Sequence, residues 1–432
     1  MSQLECVAHG RSEPHQGREA PTRPARGARG RRVSGALSGL LVADFSRVLA
    51  GPYATMLLAD LGAEVVKVER PGIGDDTRAW GPPYAGGEAT YFLGVNRNKR
   101  SIALDLREDV EVARALAARA DVLVENFRPG TMDRLGLGYE ALRELNPGLV
   151  YCSITGFGTG EGAGLSGYDL IAQAVGGLMS VTGEPGGSGT KAGVALVDVI
   201  TGLHAALGIL AALHHRDQTG QGTRVGNEPA WDGGERVPGA GEPVSAGGGQ
   251  RVEVSLLSSL LSALTNHASA YAAGGVVPSA MGNRHPSIVP YEVFEAADRP
   301  LVIAAGNDRQ FRALCAMLEH PDLAGDARYA TNAGRVAARD ELITELNATL
   351  AGRTADEWFA LLTPAGVPCG PINDLAAAFS LAADLGLEPA IELDGVGQVA
   401  NPIRLSATPP SYRRPPPALG QDEAWVREIL GP

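Results

Sequence analysis

One aspartate stands alone in an apolar stretch of the chain. In the segment KAGVALVDVITGLHAAL, Asp198 is the only charged residue between Ala192 and Leu203. An ionised carboxylate is rarely buried without a partner, because water stabilises its charge far better than apolar surroundings do. Asp198 also precedes a helical apolar repeat, and aspartate is a preferred helix N-cap. Asp198 is therefore either a helix cap, which its position alone favours, or a carboxylate held in place for chemistry.

The other residues that could take part in a reaction form no recognisable catalytic set. Asp169 in SGYDLIAQAVGGL presents the same two alternatives, and capping of its own helix is again favoured. His204 lies at a helical position among apolar residues, which predicts a hydrogen-bonded core histidine. The cysteines are Cys6, Cys152, Cys315 and Cys369. They form no C-x-x-C pair and no zinc spacing, so the sequence indicates no metal site and is typical of a reducing compartment.

The first strand–loop–helix unit of the chain has one feature of a dinucleotide-binding site but lacks another. Glu69 ends a predicted strand at the place of a ribose-binding acid, but the preceding loop SRVLAGP lacks G-x-G-x-x-G. Without these glycines the backbone cannot approach a pyrophosphate in the usual way, so NAD is not expected. Arg70 and the segment NRNKR (96–100) would suit phosphate groups, although a single basic residue is more often a solvated surface charge.

Alternating strands and helices must position these residues. Buried strands are predicted at 40–45, 64–69, 100–106, 121–127 and 149–157, and helices at 51–63 and 111–120. This alternation indicates a parallel sheet with helices on both faces. A second compact region is predicted from two strands within 291–306 and helices at 308–318, 338–352 and the start of 355–372.

Composition excludes several classes of protein. The 432 residues are 44% hydrophobic, which is typical of a globular chain, and the net charge of −12 makes the chain a poor general nucleic-acid binder. Residues 254–283 carry no charge, but their serines, Asn266, His267 and terminal Gly/Pro turns argue against a membrane span. We expect this stretch to be a helix buried against a partner surface.

Two segments break the regular pattern. Residues 1–36 are rich in Arg, Gly and Pro and predict a disordered tail or a leader, with a mitochondrial transit peptide as one alternative. A cytoplasmic location is expected, with the mitochondrial matrix as the alternative. Residues 223–249 are rich in Gly, Pro and Glu and predict a flexible insert between TGQG and QRVEVSLL.

Taken together, ordered segments of the chain resemble family III CoA-transferases of the CaiB/BaiF type. The matching segments are DFSRVLAGPYATMLLADLGAEVVKVERP, GDDTRAWGPP, NRNKRSIALDL, VENFRPGTMDRLGLGYE, YCSITGFG, GYD, GVALVDVITGLHAALGILAAL and GVPCGPIND. The resemblance runs from about Leu37 to about Gly431 and fails only at 223–249. The stretches SIVPYEVF and AAGNDRQF are especially similar to succinate–hydroxymethylglutarate (glutarate-type) CoA-transferases.

The resemblance implies an architecture. It is an α/β fold with a Rossmann-like parallel-sheet large domain, a smaller α+β domain, and two ring-like chains interlocked as a homodimer. The implied division is 37–222 and 371–432 for the large domain, 250–284 for a linker helix, and 285–370 for the small domain. The implied partners are an acyl-CoA and a carboxylic acid. The CoA thioester is a substrate, with no permanently bound cofactor, no metal, no nucleic acid and no membrane.

The resemblance also assigns roles to residues. Asp198 matches the family's covalent nucleophile, and a carboxylate with an ordinary pKa near 4 would be ionised at neutral pH. The CoA contacts fall on Val48, Leu49, Ala50, Arg70, Leu104, Arg107, Asn126, Phe127 and Arg134. Arg47, Tyr91 and Tyr168 are expected near the acyl group, with Arg47 as the cationic anchor for a dicarboxylic acid. Asp169 is expected to be a structural cap.

Two other functions remain open. The α-methylacyl-CoA racemases share the fold but have GHD where this chain has GYD, with Tyr168. A phenol with a pKa near 10 is a poor proton shuttle at neutral pH, which favours the transferase. A catalytically inactive CoA-binding paralogue is the other alternative, especially if residues 223–249 disturb the dimer.

Overall fold

The computed structural model describes residues 35–219, 230–232, 235–237 and 248–431. The predicted leader at 1–36 and the predicted insert at 223–249 lie largely outside these ranges, so both stay predictions. The strands of the described residues are β1 (Leu41–Asp44), β2 (Glu64–Glu69), β3 (Tyr84–Ala85), β4 (Glu88–Ala89), β5 (Lys99–Ala103), β6 (Val122–Glu125), β7 (Val150–Thr155), β8 (Ala230–Asp232), β9 (Glu235–Val237), β10 (Arg251–Ser255), β11 (Tyr291–Glu295), β12 (Pro300–Ala304), β13 (Cys369–Pro371), β14 (Ala390–Leu393) and β15 (Val396–Val399).

Helices alternate with these strands through the first half of the chain. The helices are α1 (Ala50–Asp60), α2 (Thr90–Leu93), α3 (Val110–Arg119), α4 (Thr131–Arg134), α5 (Tyr139–Leu145), α6 (Asp169–Val175), α7 (Leu196–Gln218), α8 (Leu256–Ala263), α9 (Thr265–Gly274), α10 (Asp308–Met317), α11 (Pro321–Gly325), α12 (Asn332–Ala337), α13 (Arg339–Leu350), α14 (Ala355–Leu362), α15 (Leu375–Asp384) and α16 (Glu423–Leu430).

A six-stranded sheet forms the centre of the larger part of the molecule. Its order is β10-β7-β6-β1-β2-β5, and every neighbouring pair is parallel. Strands β2, β6 and β7 are buried along their whole length, because helices cover both faces of the sheet. The predicted parallel α/β sheet is therefore confirmed. Its strands β1, β2, β5, β6 and β7 fall where the apolar runs predicted them.

Two apolar layers hold the helices to the sheet. Residues of α1 and α7 pack against one face of β1, β6 and β7, whereas residues of α3 and α16 belong to the core on the other face. Helix α7 is long and apolar enough to cross a membrane by length and composition, the one such helix found in the described part of the chain. Its buried residues, including Ala205 and Ile209, lie in the core that it shares with α1, so packing explains the apolar character of this face.

The C-terminal segment returns to the large domain through buried polar contacts. The carboxylate of Asp60, at the end of α1, accepts hydrogen bonds from Arg97 (2.7 Å), Asn98 (2.7 Å) and Asn401 (3.0 Å). Val426 of α16 lies in the core below the sheet. These contacts confirm that the large domain is completed by the end of the chain.

A separate apolar core lies between Val289 and Val367. It packs α10, α13 and α14 against the antiparallel sheet β11-β12-β13. The two predicted strands within 291–306 are β11 and β12, and the smaller α+β unit is confirmed. The exact domain limits stay a prediction. The extent of this core favours the predicted small domain at 285–370.

The uncharged stretch at 254–283 is only partly buried within one chain. Helix α8 buries Leu256, Ser259 and Leu260, but α9 has no buried residue. The expected burial against a partner surface concerns a second chain, so it stays a prediction.

Candidate active site

Asp198 lies in the first turn of α7, but it is not the N-cap. The helix begins at Leu196 and its N-cap is Ala195, so Asp198 is the third helical residue. Its side chain is half-buried. The capping role that its position favoured is therefore wrong, and another explanation is needed for a carboxylate in apolar surroundings.

A close contact between two helices sets the position of Asp198. A Cβ atom added to Gly202 would lie 2.6 Å from the backbone oxygen of Ala50, so only glycine allows α7 to approach α1 this closely. Asp198 precedes Gly202 by four residues and therefore shares its helix face. This geometry directs Asp198 towards the loop between β1 and α1.

That loop and Asp198 line the same cleft, at the carboxyl ends of the parallel strands. Such ends are the usual ligand position in open α/β sheets. The predicted site residues that line the cleft are Arg47, Val48, Leu49, Ala50, Asn126, Phe127, Tyr168 and Asp198. Its empty volume is about 930 Å³, part of it open to solvent.

A second, basic cleft adjoins the first. Arg47 and Phe127 line both clefts, so the two adjoin at these side chains. The other predicted residues in the second cleft are Arg70, Leu104, Arg107 and Arg134. Every predicted site residue except Tyr91 thus lines one of the two clefts, with a carboxylate in the first and three further arginines in the second.

Tyr91 lies near this region without lining either cleft. Its ring packs edge-on against Trp80, with 5.4 Å between the ring centroids. Burial, followed by the charges of Asp198 and Asp169, raises the pKa of the Tyr91 phenol to about 12. The phenol is therefore protonated at neutral pH and close enough to the two carboxylates to sense their charge.

Asp169 caps a helix, but not its own. Tyr168 is the N-cap of α6, whereas the Asp169 carboxylate accepts hydrogen bonds from the backbone N–H groups of Val197 (2.8 Å) and Asp198 (3.1 Å). Gln173 donates to its other oxygen at 2.6 Å. The predicted structural role is thus corrected: Asp169 fixes the first turn of α7, because this turn lacks an acceptor of its own.

The electrostatics of Asp198 differ from the sequence-based expectation. Burial, followed by repulsion from Asp169, raises the pKa of the Asp198 carboxyl from 3.8 to about 7. The expected pKa near 4 is therefore wrong, because desolvation and a nearby like charge both favour the neutral acid. A carboxylate that is less stabilised by water is also a more reactive nucleophile.

Removing the charge of Asp169 should shift the titration of Asp198. We expect Asp169→Asn to retain an acceptor oxygen for α7 but to lower the pKa of Asp198, because the like charge is gone. The pH midpoint of kcat/KM should fall by at least about half a pH unit. Asp76→Asn, which removes another carboxylate of the cleft, serves as the control. An unchanged midpoint in Asp169→Asn would contradict this coupling.

Asp76 is a cleft residue that the sequence reasoning missed. Its carboxylate lies 3.2 Å from Arg47 and 3.8 Å from Arg70. The Arg47 guanidinium also lies over the Phe127 ring, 5.3 Å from its centroid. The segment GDDTR contained the signal, because two acids after a Gly turn follow the arginine at the end of β2.

Outside the clefts, the remaining chemical candidates have structural partners. His204 is half-buried and lies 3.0 Å from the Ser259 hydroxyl, in line with the predicted hydrogen-bonded histidine. Within the described ranges, no three His, Cys, Asp or Glu side chains are grouped so that they could hold a metal ion.

Comparison with known proteins gives concordant matches. The sequence matches CoA-transferase family III over residues 37–229 and 242–423. It is 42% identical over 403 residues to a succinyl-CoA:glutarate CoA-transferase of Mus musculus, covering 91% of this chain and 86% of that protein. It is 43% identical over 408 residues to a succinate–glutarate CoA-transferase of Agrobacterium fabrum, covering 90% and 94% of the two chains. The crystal structure of a CaiB/BaiF family protein from Brucella suis superimposes with a TM-score of 0.78 at 40% identity, covering 92% of this chain and 100% of that one.

Proposed function

Because this chain belongs to CoA-transferase family III, we propose that it moves CoA from a dicarboxylic acyl-CoA to a free dicarboxylate through a covalent bond to Asp198. The observation that carries the proposal is a pair of adjoining clefts, with Asp198 in one and Arg70, Arg107 and Arg134 in the other. A thioester beside the carboxylate would leave the anionic phosphates of CoA near the arginines.

The proposed chemistry needs no group beyond the substrates and Asp198. The ionised carboxylate attacks the thioester carbonyl, which breaks the C–S bond and yields a mixed anhydride and CoA thiolate. The thiolate then attacks the aspartyl carbonyl, releases the donor acid and leaves an aspartyl-CoA thioester. The acceptor carboxylate attacks this thioester, and the same two steps run in reverse. Each step exchanges one acyl bond for another of similar energy, so positioning and exclusion of water supply most of the catalysis.

The acids that we propose as substrates follow from charge and from the relatives. Proteins similar to this chain are named for succinyl-CoA and glutarate. Glutarate carries two carboxyl groups, and the succinyl group of succinyl-CoA carries one free carboxyl group besides its thioester. In each substrate one end reacts, and the free carboxylate at the other end needs a cationic partner in the cleft. Arg47 is the proposed partner, because its guanidinium lies in the same cleft as Asp198.

Peptide mapping tests the covalent step directly. The enzyme is incubated with succinyl-CoA, treated with hydroxylamine or borohydride, and digested with trypsin. Asp198 falls in the peptide 192–216 and Asp169 in the peptide 144–191, so the two aspartates are read separately. We expect modification of Asp198 alone, together with ping-pong formation of glutaryl-CoA from glutarate. A label confined to Asp169 would exclude Asp198 as the nucleophile.

The alternative functions give different outcomes in parallel assays. Exchange of the α-proton of a 2-methylacyl-CoA with solvent deuterium, without an acceptor acid, would identify a racemase. Binding of CoA without exchange or labelling would identify an inactive paralogue. Either result would replace the proposed transferase.

We further propose that two chains form the working unit. Exposed apolar residues, including Leu207 of α7, Tyr271 of α9 and Leu375 of α15, are 66%, 63% and 79% accessible in one chain. A second copy would remove such surface from water, which favours association. Analytical ultracentrifugation should give twice the mass of one chain, and a stable monomer at micromolar concentration would contradict the dimer.

A further inference from the structure

The loop between β1 and α1, residues 45–49, is held by side chains from several parts of the fold. We call it the β1–α1 loop. Lys67 donates to the backbone oxygen of Ser46 at 2.9 Å. The Asn126 side chain accepts from the backbone N–H of Arg47 (2.9 Å) and donates to its oxygen (2.7 Å). The backbone N–H of Val48 lies 3.3 Å from both oxygens of Asp75. Three consecutive residues are thus fixed at their backbone atoms.

One residue of this loop has an unfavourable backbone conformation. Val48 has a φ angle of +70°, in the left-handed region. A β-branched residue rarely adopts this region, because its Cβ substituents crowd the backbone. Such a conformation persists where the surrounding structure over-determines it, and it is often found at functional sites. Here the strained residue lines the cleft that contains Asp198.

The acceptor for Val48 belongs to a fully buried ion pair. Lys67 Nζ lies 2.8 Å from Asp75, and both side chains are 0% exposed. Burial raises the pKa of Asp75, but Lys67 and the hydrogen bonds from Thr77 outweigh it and hold the pKa below its usual value. Burial likewise lowers the pKa of Lys67, but Asp75, Asp44 and Glu69 hold it above its usual value. Both partners are therefore charged.

Stability alone does not account for this pair. Desolvation largely cancels the attraction in a buried ion pair, and apolar residues of similar volume are often at least as stabilising. An apolar pair could not accept the Val48 N–H group or bind the Ser46 oxygen. What the charged pair provides is a defined path for the β1–α1 loop.

We propose that Lys67 and Asp75 form a positioning pair, which holds Val48 in its left-handed conformation and thereby presets the β1–α1 loop for the acyl-CoA. This inference rests on the proposed function, because the loop is the proposed CoA contact. Neither residue touches the reacting atoms. Their loss should weaken recognition of the thioester more than it slows the bond exchange.

Asp75→Asn tests the pair with little change in shape. The amide keeps one acceptor oxygen but removes the charge and leaves Lys67 without its counter-ion. We expect the KM for succinyl-CoA and the calorimetric Kd for CoA to rise about tenfold, while kcat changes less than about threefold. A KM and Kd within twofold of wild type would overturn the proposal.

A second buried ion pair supplies the matched control. Arg97 and Asp60 lie 2.7 Å apart and are 2% and 0% exposed, at the opposite end of α1. Asp60→Asn should destabilise the fold as Asp75→Asn does, yet leave KM and Kd unchanged. An equal rise in KM for Asp60→Asn would assign the effect to general destabilisation and overturn the proposal.

A double-mutant cycle with Val48→Gly isolates the strain. Glycine adopts positive φ without the steric cost, so the conformation at position 48 should depend less on the Lys67–Asp75 ion pair. The rise in KM caused by Asp75→Asn should be smaller in the Val48→Gly background than in the wild type. Equal rises in both backgrounds would contradict a role in holding Val48.

A variant that removes both charges covers the case in which Asp75→Asn does not fold. Lys67→Met with Asp75→Leu leaves no buried charge without a partner, so folding should be retained. It should still raise KM and Kd, because Val48 has lost its acceptor. Unchanged constants in this folded variant would also overturn the proposal. Failure of the proposed function is distinguishable, since the wild type itself would then transfer no CoA from succinyl-CoA to glutarate.

Discussion

Asp198→Asn is expected to reduce CoA transfer by on the order of 10³-fold or more. Asparagine has nearly the same shape as aspartate and leaves the cleft intact, but its amide is not a nucleophile towards a thioester. Without the covalent bond, transfer would need direct attack by the acceptor acid on the donor thioester. Every intermediate of the proposed chemistry is bonded covalently to Asp198, so the variant could form none of them.

The neighbouring carboxylates are not expected to replace Asp198. Asp169 already accepts two backbone N–H groups of α7 and a hydrogen bond from Gln173. Asp76 is paired with Arg47 and Arg70. A carboxylate engaged in this way is a weaker nucleophile, because its hydrogen bonds and ion pairs stabilise its charge.

Steady-state kinetics with succinyl-CoA and glutarate measure this loss, and calorimetry checks that CoA still binds with the wild-type Kd. Mass spectrometry must verify that the asparagine has not deamidated, because a small fraction of regenerated aspartate would mimic residual activity. Turnover within tenfold of the wild type, from verified Asp198→Asn protein, would show that the reaction does not depend on this carboxylate.

The second large effect is expected in the pH dependence of the wild type. The pKa of Asp198 is about 7, raised chiefly by burial and then by Asp169. Only the ionised form can attack, so kcat/KM should fall about tenfold for each pH unit below 7 and level off above it. An ordinary carboxylate would instead give a flat profile down to about pH 4.

The same pKa predicts an opposite trend in stability. Between pH 3.8 and about 7, the folded state retains a proton that the unfolded chain has lost, so stability falls as pH rises through this window. The whole shift is equivalent to roughly 4 kcal/mol. Asp198→Asn cannot ionise, so it should gain stability relative to the wild type as pH rises, by up to this amount above pH 7.

Two measurements check these trends on the same proteins. A pH profile of kcat/KM gives the midpoint of the free enzyme, and urea unfolding at pH 5 and pH 8 gives the difference in free energy between Asp198→Asn and wild type. A midpoint near 4, or a stability difference that is equal at both pH values, would contradict the raised pKa.

Much of the fold could be predicted from local patterns. The runs LLVADF and EVVKVE predicted β1 and β2, and the helix between them begins at Ala50, close to its predicted start. Such patterns are reliable because strand and helix periods are set by backbone geometry and by which side chains face the core. For the uncharged stretch at 254–283, apolar character alone did not say which surface would cover it, and within one chain α9 has no buried residue.

The residues named from the sequence mostly line the two clefts, but their contacts and the pKa of Asp198 were not predicted. Family resemblance named Asp198, Arg47 and Asn126, and these residues line one cleft. Neither the cap formed by Asp169 on α7 nor the contact of Asp75 with Val48 could be seen, since these partners are 28 and 27 residues apart in the chain. Asp76 was missed although GDDTR carried a local signal, because its contact with Arg47 joins residues 29 apart in the chain.

The sequence by itself determined the parallel α/β architecture, the smaller α+β unit, the family and the one acid that stands alone in an apolar run. Only the tertiary structure decided that Asp198 is not a cap, that its pKa is about 7, and that Val48 is held in a strained conformation by a buried ion pair. The reason is physical. Periodicity and turn chemistry act between near neighbours in the chain, whereas a pKa and a strained loop depend on burial and on charges that folding brings together.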